Sequence, residues 1–233
     1  MIIALNNKCN LTKEEFMSYQ NQLNEIECQD KLILCPNHLF IGMANLENID
    51  LGAQNVSSTD CGAYTGEISA SQLKSCNVKY CIVGHSERRK YQQETDIEIN
   101  QKIKKLLEQD ITPILCIGET KEERENRKEK EIILNELEED LKNLSEQDRT
   151  KVIIAYEPIW SIGTGIIPTE EQITEIFNII KDKFPNNKVL YGGSANEENI
   201  DMLKQISTID GYLLGGLSLK PDKLKIFIEK LKN

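Results

Sequence analysis

No apolar run in this chain approaches the roughly 20 residues that a membrane-spanning helix requires, and the first strand pattern opens at Ile2, leaving no room for a signal peptide. A cytoplasmic protein without a membrane partner is expected. Positive charge is also short: 28 lysines and arginines against 38 aspartates and glutamates leave a net charge of −10 and a pI near 4.9. That balance argues against nucleic acid or an anionic bilayer as the principal partner, so any anionic substrate must be attracted locally. The seven cysteines include no C-x-x-C pair and have no histidine companions, which removes the usual zinc and redox patterns. Unpatterned thiols in odd number suit a reducing compartment. No metal or organic cofactor is expected. Linkers and low-complexity stretches are missing as well, and residues 1–233 are expected to form one domain.

What is present is a regular alternation. Short apolar strands at Ile2–Leu5, Lys31–Leu34, Ile49–Ala53, Tyr80–Val83, Thr112–Ile117, Lys151–Tyr156, Lys188–Tyr191 and Ile209–Leu213 are separated by helical patterns, as in a parallel sheet with crossover helices. Eight such strands in a chain of this length predict closure into a (β/α)8 barrel. Thr12-Lys13-Glu14-Glu15 and Thr169-Glu170-Glu171-Gln172 carry the capping-box pattern and mark helix starts. Pro221 opens a last helix running through Lys232, since proline costs nothing in a first turn. The charge-dense stretch from Glu119 to Arg149 reads as a solvated amphipathic helix with Ile132, Ile133, Leu137, Leu141 and Leu144 turned inward. No chemistry is assigned to it. An open doubly wound sheet usually shows G-x-G-x-x-G after its first strand, whereas here Asn6-Asn7-Lys8 stands there and the glycine-rich segments follow later strands. Barrels often bind phosphate through the loops after strands seven and eight.

The segment Ala155-Tyr156-Glu157-Pro158-Ile159-Trp160-Ser161-Ile162-Gly163-Thr164-Gly165 joins an apolar strand, a lone carboxylate and a glycine-rich loop. Glu157 then lies at the C-terminal end of a strand that Pro158 stops. The glycines let backbone N–H groups approach an anion closely. By itself Glu157 reads equally well as a surface carboxylate, while Lys8 alone reads more readily as a snorkelling lysine and His85 alone as a structural histidine. Together they offer a base, an electrophile and a positive charge for proton abstraction beside a carbonyl. Gly84 ends a strand and Ser86-Glu87-Arg88-Arg89 starts a helix, whose N-terminal dipole disfavours an imidazolium at His85. Cys116 reads as a packing cysteine and His38 as a loop histidine.

Five segments in order, Asn6-Asn7-Lys8, Ile82-Val83-Gly84-His85-Ser86-Glu87-Arg88-Arg89, the Glu157 segment, Leu190-Tyr191-Gly192-Gly193-Ser194 and Leu213-Leu214-Gly215-Gly216, resemble the triosephosphate isomerase family. The resemblance runs from Ile2 to the last helix. It implies a TIM barrel that interconverts dihydroxyacetone phosphate and D-glyceraldehyde 3-phosphate, with Glu157 as base, His85 and Asn6 as donors to the substrate oxygen, and Lys8 supplying positive potential. Phosphate is then held by backbone N–H groups of Gly163, Ser194, Gly215 and Gly216, Glu87 positions Lys8, and Trp160 anchors a lid. The Thr65-Gly66-Glu67 loop is similar to the one through which family members form homodimers, Thr65 approaching Asn6 and Lys8 of the second copy and Glu67 pairing with its Arg88. Departures from the pattern are Asn7 at a usually aromatic position, Ser161 for a common lid alanine, Ile166-Ile167-Pro168 in place of a lysine-containing hinge, and a trimmed stretch between Pro36 and Asn45. Another phosphate-binding barrel, such as an aldolase or an indole-synthesising enzyme, stays open as a second reading, although no Schiff-base lysine context or metal cluster supports it. A barrel kept only as a binding protein is a third.

Overall fold

Side chains along a β-strand alternate with a period of two, and in this chain that alternation sorts the apolar residues into two separate cores. The computed structural model describes residues 1–162 and 166–232. Its strands are β1 (Ile2–Asn6), β2 (Lys31–Cys35), β3 (Asp50–Ala53), β4 (Tyr80–Val83), β5 (Thr112–Ile117), β6 (Ile153–Tyr156), β7 (Val189–Tyr191) and β8 (Gly211–Leu214). Each pairs in parallel with the next, and β8 returns to β1, closing a barrel in sequence order. Ala4, Ile33, Cys35, Ile82, Ile114, Cys116, Ile153, Ala155, Leu190 and Leu213 fill the interior. The intervening positions, such as Leu5, Leu115, Ile154 and Tyr212, face the helices.

The helices are α1 (Lys13–Asn24), α2 (His38–Ile41), α3 (Ala70–Ser75), α4 (Ser86–Gln92), α5 (Asp96–Glu108), α6 (Lys121–Glu125), α7 (Glu129–Asp140), α8 (Glu146–Lys151), α9 (Glu170–Lys183), α10 (Ile200–Leu203) and α11 (Pro221–Lys232). A 3₁₀ turn spans Gly216–Leu219. Thr12 and Thr169 close the expected capping boxes, and Ser69, Thr95 and Thr120 add three more. Boundaries differ from the sequence pattern by a residue or two at several strands, β8 for example running Gly211–Leu214 rather than Ile209–Leu213. Lys151 ends α8 rather than opening β6, and the stretch after Glu119 is three helices, interrupted where Arg127 and Asn143 adopt left-handed backbone at φ 56° and 61°. Ile133, Leu137 and Leu141 are buried as expected, while Ile132 and Leu144 are half-buried. His38 opens the short α2 instead of lying in a loop, and its Nε2 contacts the Asn55 carbonyl at 2.9 Å.

That charged stretch is not wholly solvated. Arg89 on α4 pairs with Asp96 at 2.5 Å and with the fully buried Asp140 at 2.6 Å, while Glu136 lies 3.8 Å away. The same guanidinium donates to the carbonyls of Gly84 and Cys116, tying the ends of β4 and β5 together. Burial pushes Glu136 up to about 7 and Asp140 to about 8, although Arg89 pulls the other way. One cation cannot neutralise three carboxylates in a desolvated place, so the cluster holds a proton near neutral pH.

Two predictions follow from the packing. A folded-state pKa above the unfolded value means that the folded chain binds the proton more tightly, so this stability is present in acid and is lost as pH rises toward 8. Urea unfolding of the parent should therefore weaken between pH 6 and 9 by on the order of 1 kcal/mol more than that of Asp140→Asn; parallel pH profiles would count against a shared proton. At Gly118 a Cβ would sit 1.8 Å from the Glu157 carbonyl oxygen. Gly118→Ala should cost about 1–3 kcal/mol, from forcing β5 and β6 apart, measurable by the same unfolding curves.

Candidate active site

The C-terminal ends of the strands meet at one rim, and the period of two continues past them. Asn6 has the parity of the inward Ala4, Glu157 that of Ala155, Gly192 that of Leu190, and Gly215 that of Leu213. His85 has the wrong parity, following the outward Val83. The turn at Gly84, with φ 67°, breaks the alternation and brings His85 onto the rim, where it becomes the N-cap of α4. Asn6, Lys8, His85, Glu157, Ser194, Gly215 and Gly216 consequently line one cavity of about 300 Å³. A larger cavity of about 420 Å³ between α2, β3 and α3 brings no comparable set of polar groups together; its Asp50 and Lys79 are already paired with each other.

Within the cavity Glu157 is almost completely enclosed, 2% exposed. Its Oε1 lies 3.0 Å from His85 Nε2, and its Oε2 accepts from the Ser86 N–H at 2.9 Å. His85 Nδ1 accepts from the Glu87 N–H at 3.2 Å, which leaves Nε2 as the protonated nitrogen that faces the cavity. Lys8, at φ 52°, sends its ammonium to Glu87 at 2.7 Å. Asn6 Oδ1 accepts the Lys8 N–H at 3.0 Å and so fixes that turn. Across the cavity, the backbone N–H groups of Ser194, Gly215 and Gly216 donate to no acceptor among the described residues. Gly163 lies outside the described residues.

The charges are mutually adjusted. Burial pushes the Glu157 carboxyl up, but His85, the Ser86 N–H and Lys8 outweigh it and hold the group below the usual glutamate value. Burial also opposes charge on His85, yet the carboxylate beside it raises the ring's pKa above the histidine norm, against the lowering expected from the helix dipole alone. The contact with Glu157 is the main cause, and Glu87, 3.7 Å from Nδ1, adds to it, while burial and Lys8 oppose charge on the ring.

Several contributors were not singled out in the sequence. Buried Glu119 accepts from Tyr156 Oη at 3.0 Å, Trp160 Nε1 at 2.7 Å and Arg124 at 3.0 Å, and Arg124 also lies over the Trp160 ring. Trp160 is thus held by a hydrogen bond and a cation–π contact as well as by packing. Ser161, buried, donates both its N–H and its hydroxyl to the Pro158 carbonyl. Ile166 and Ile167 are exposed and Pro168 is buried. Cys116 belongs to the barrel interior and burial pushes its thiol far up, which makes it inert. Thr65 and Glu67 stand on an exposed loop apart from the cavity, and Arg88 pairs with Glu94 of its own chain at 2.7 Å. Among the described residues no group of three or more His, Cys, Asp or Glu side chains is placed to hold a metal ion, and no helix is long and apolar enough to cross a membrane.

Comparison with known proteins bears on the same rim. Residues 1–231 match the family model described as triosephosphate isomerase. The chain is 42% identical to the triosephosphate isomerase of Mesomycoplasma hyorhinis over 93% of its own length and 91% of the relative's. Identity is 41% with the same enzyme of Alkaliphilus metalliredigens, covering 95% of each chain, and 41% with that of Dictyoglomus turgidum, covering 94% and 95%. A closed parallel barrel, a carboxylate and an imidazole facing each other at its C-terminal rim, and a match over nearly the whole chain place this protein in the triosephosphate isomerase family.

Proposed function

We propose that Glu157 is the base in the interconversion of dihydroxyacetone phosphate and D-glyceraldehyde 3-phosphate, the reaction that family membership gives this enzyme. The observation that supports it most is the 3.0 Å approach of Glu157 to His85 inside the cavity that Lys8 shares. Glutamate base and neutral histidine electrophile are an established pairing in this family. Glu157 takes a proton from the carbon beside the carbonyl. Electron density moves onto the carbonyl oxygen, where His85 Nε2–H and Asn6 donate and the Lys8 ammonium balances the developing charge. Glu157 then returns its proton to the former carbonyl carbon, while the oxygen on that carbon gains a proton and the hydroxyl oxygen on the neighbouring carbon gives one up, so that the carbonyl has moved by one carbon and no net proton is consumed. For this Glu157 must leave His85 and Ser86, which frees the imidazole as a neutral donor. Glu87 orients Lys8 through their ion pair, and the N–H groups of Ser194, Gly215, Gly216 and Gly163 are assigned to phosphate.

The same reading makes the protein a single-barrel domain, cytoplasmic and homodimeric. Support for the dimer comes from the exposed Thr65 loop with Tyr64 beside it, and from a second cavity of about 320 Å³ that opens next to Lys8, His85 and Glu87 and is bordered by Asn37, Gln54 and Tyr91. In the proposed dimer the loop tip of a second copy enters that cavity, with Thr65 reaching toward Asn6 and Lys8. Arg88, held by Glu94 within the chain, then meets Glu67 of the second copy.

Glu157→Asp should fold and lose about 100-fold in kcat, because shortening the side chain moves the base by roughly one bond and near-attack geometry tolerates little error. KM should change less. A coupled isomerase assay giving kcat within twofold of the parent would remove Glu157 from this role. His85→Gln should lose on the order of 10²-fold in kcat while phosphate affinity persists. For the dimer, specific activity should fall on dilution in step with dissociation measured by sedimentation; a fully active monomer would refute it.

A further inference from the structure

Directly beneath the proposed phosphate turn lies a polar cluster that the chemistry does not use. Asn7 stands between two proposed active-site residues, yet it is 1% exposed. Its Nδ2 lies 3.1 Å from Tyr19 Oη on α1 and 3.3 Å from Ser218 Oγ in the 3₁₀ turn. The directions of these bonds are forced. Burial pushes the Tyr19 phenol far above its ordinary value, so it keeps its proton and donates it to the Ser218 carbonyl at 2.7 Å. The Ser218 hydroxyl donates to the Asn6 carbonyl at 3.0 Å. Both oxygens have only lone pairs left, and the Asn7 amide must present its NH₂ to both.

The arrangement leaves Asn7 Oδ1 buried and without a hydrogen bond among the described residues. Such a group destabilises a fold relative to an apolar side chain of the same shape. Stability therefore does not explain an asparagine at this buried position. Connection does. The Asn7 N–H donates to the Cys35 carbonyl at the end of β2, and the Ser218 N–H donates to the Gly215 carbonyl, closing the turn that carries Gly215 and Gly216. One residue thus joins the ends of β1 and β2, helix α1 and the turn.

We propose that Asn7, acting through Tyr19 and Ser218, is a positioning residue that sets the separation between the carbonyl end of the site, at Asn6 and Lys8, and the phosphate end, at Gly215 and Gly216, and so tunes selectivity for a phosphorylated triose. The proposal rests on the assignment of the Gly215 and Gly216 N–H groups to phosphate. An apolar side chain at position 7 can donate to neither oxygen, so the join is made by the directed bonds of the Asn7 amide.

The test compares the parent with Asn7→Leu and Tyr19→Phe, using D-glyceraldehyde 3-phosphate, unphosphorylated D-glyceraldehyde and competition by inorganic phosphate. In Asn7→Leu, KM for the phosphorylated substrate and the inhibition constant of inorganic phosphate should each rise at least fivefold. Turnover of D-glyceraldehyde should stay within twofold and the melting temperature should not fall. Tyr19→Phe should move the same quantities in the same direction by less, and the double variant should be less than the product of the two. Unchanged phosphate competition in Asn7→Leu, or equal proportional losses on both substrates, would overturn the proposal. Should Asn7→Leu fail to fold, Tyr19→Phe decides by the same criteria. If inorganic phosphate does not compete even in the parent, the phosphate assignment of the turn itself falls.

Discussion

Everything at the rim depends on the period of two along eight parallel strands. Because the strands run the same way, all their C-terminal ends open on one side, and because alternate side chains point inward, the next inward position past each end is delivered into a shared mouth. Asn6, Glu157, Gly192 and Gly215 arrive there by parity alone. His85 does not, and the left-handed turn at Gly84 supplies the missing half-step. Gly118 shows how little freedom this geometry leaves: the backbones of β5 and β6 pass so closely there that no side chain fits against the Glu157 carbonyl.

A second layer of constraint is electrostatic. The interior of the barrel is apolar, so each charge at its mouth must be balanced within a few ångströms. Glu157 is balanced by His85 and Ser86, Lys8 by Glu87, Glu119 by Arg124, Trp160 and Tyr156, and Arg89 by more carboxylate than it can neutralise. The Arg89 cluster touches the chemistry indirectly, since its guanidinium grips the Gly84 carbonyl and so holds the turn that aims His85.

Most of the architecture was legible because its signals are local. The apolar runs, the capping boxes at Thr12 and Thr169, and Pro221 each speak for a few adjacent residues, and all eight strands and the last helix lie where those signals place them. The misread parts are those set by backbone or distant partners. Left-handed residues at Arg127 and Asn143 split an unbroken charge pattern into three helices, and neither is a glycine that would have flagged the break. Glu136 and Asp140 resemble any solvated acid until Arg89, on another helix, is placed against them. The residues that line the rim cavity were in view as parts of motifs, apart from Ala195; Gly163, also part of a motif, lies outside the described residues. Asn7 was visible only as a departure, because its partners Tyr19 and Ser218 lie 12 and 211 positions away.

The ion pair of Lys8 with Glu87 bears on how substrate arrives as well as on how it is held. Viewed from beyond a Debye length, about 8 Å at physiological ionic strength, the pair is a small dipole rather than a cation. The surrounding protein carries a net charge of −10. An incoming phosphate dianion is therefore not guided from afar, and the far field repels it. On the proposed assignment of phosphate to the N–H groups of Ser194, Gly215 and Gly216, recognition begins only at contact, where neutral backbone donors act over their own short range. Such a site is filled by unguided diffusion followed by a close-range latch, and its capture rate should rise rather than fall when salt screens the acidic surface.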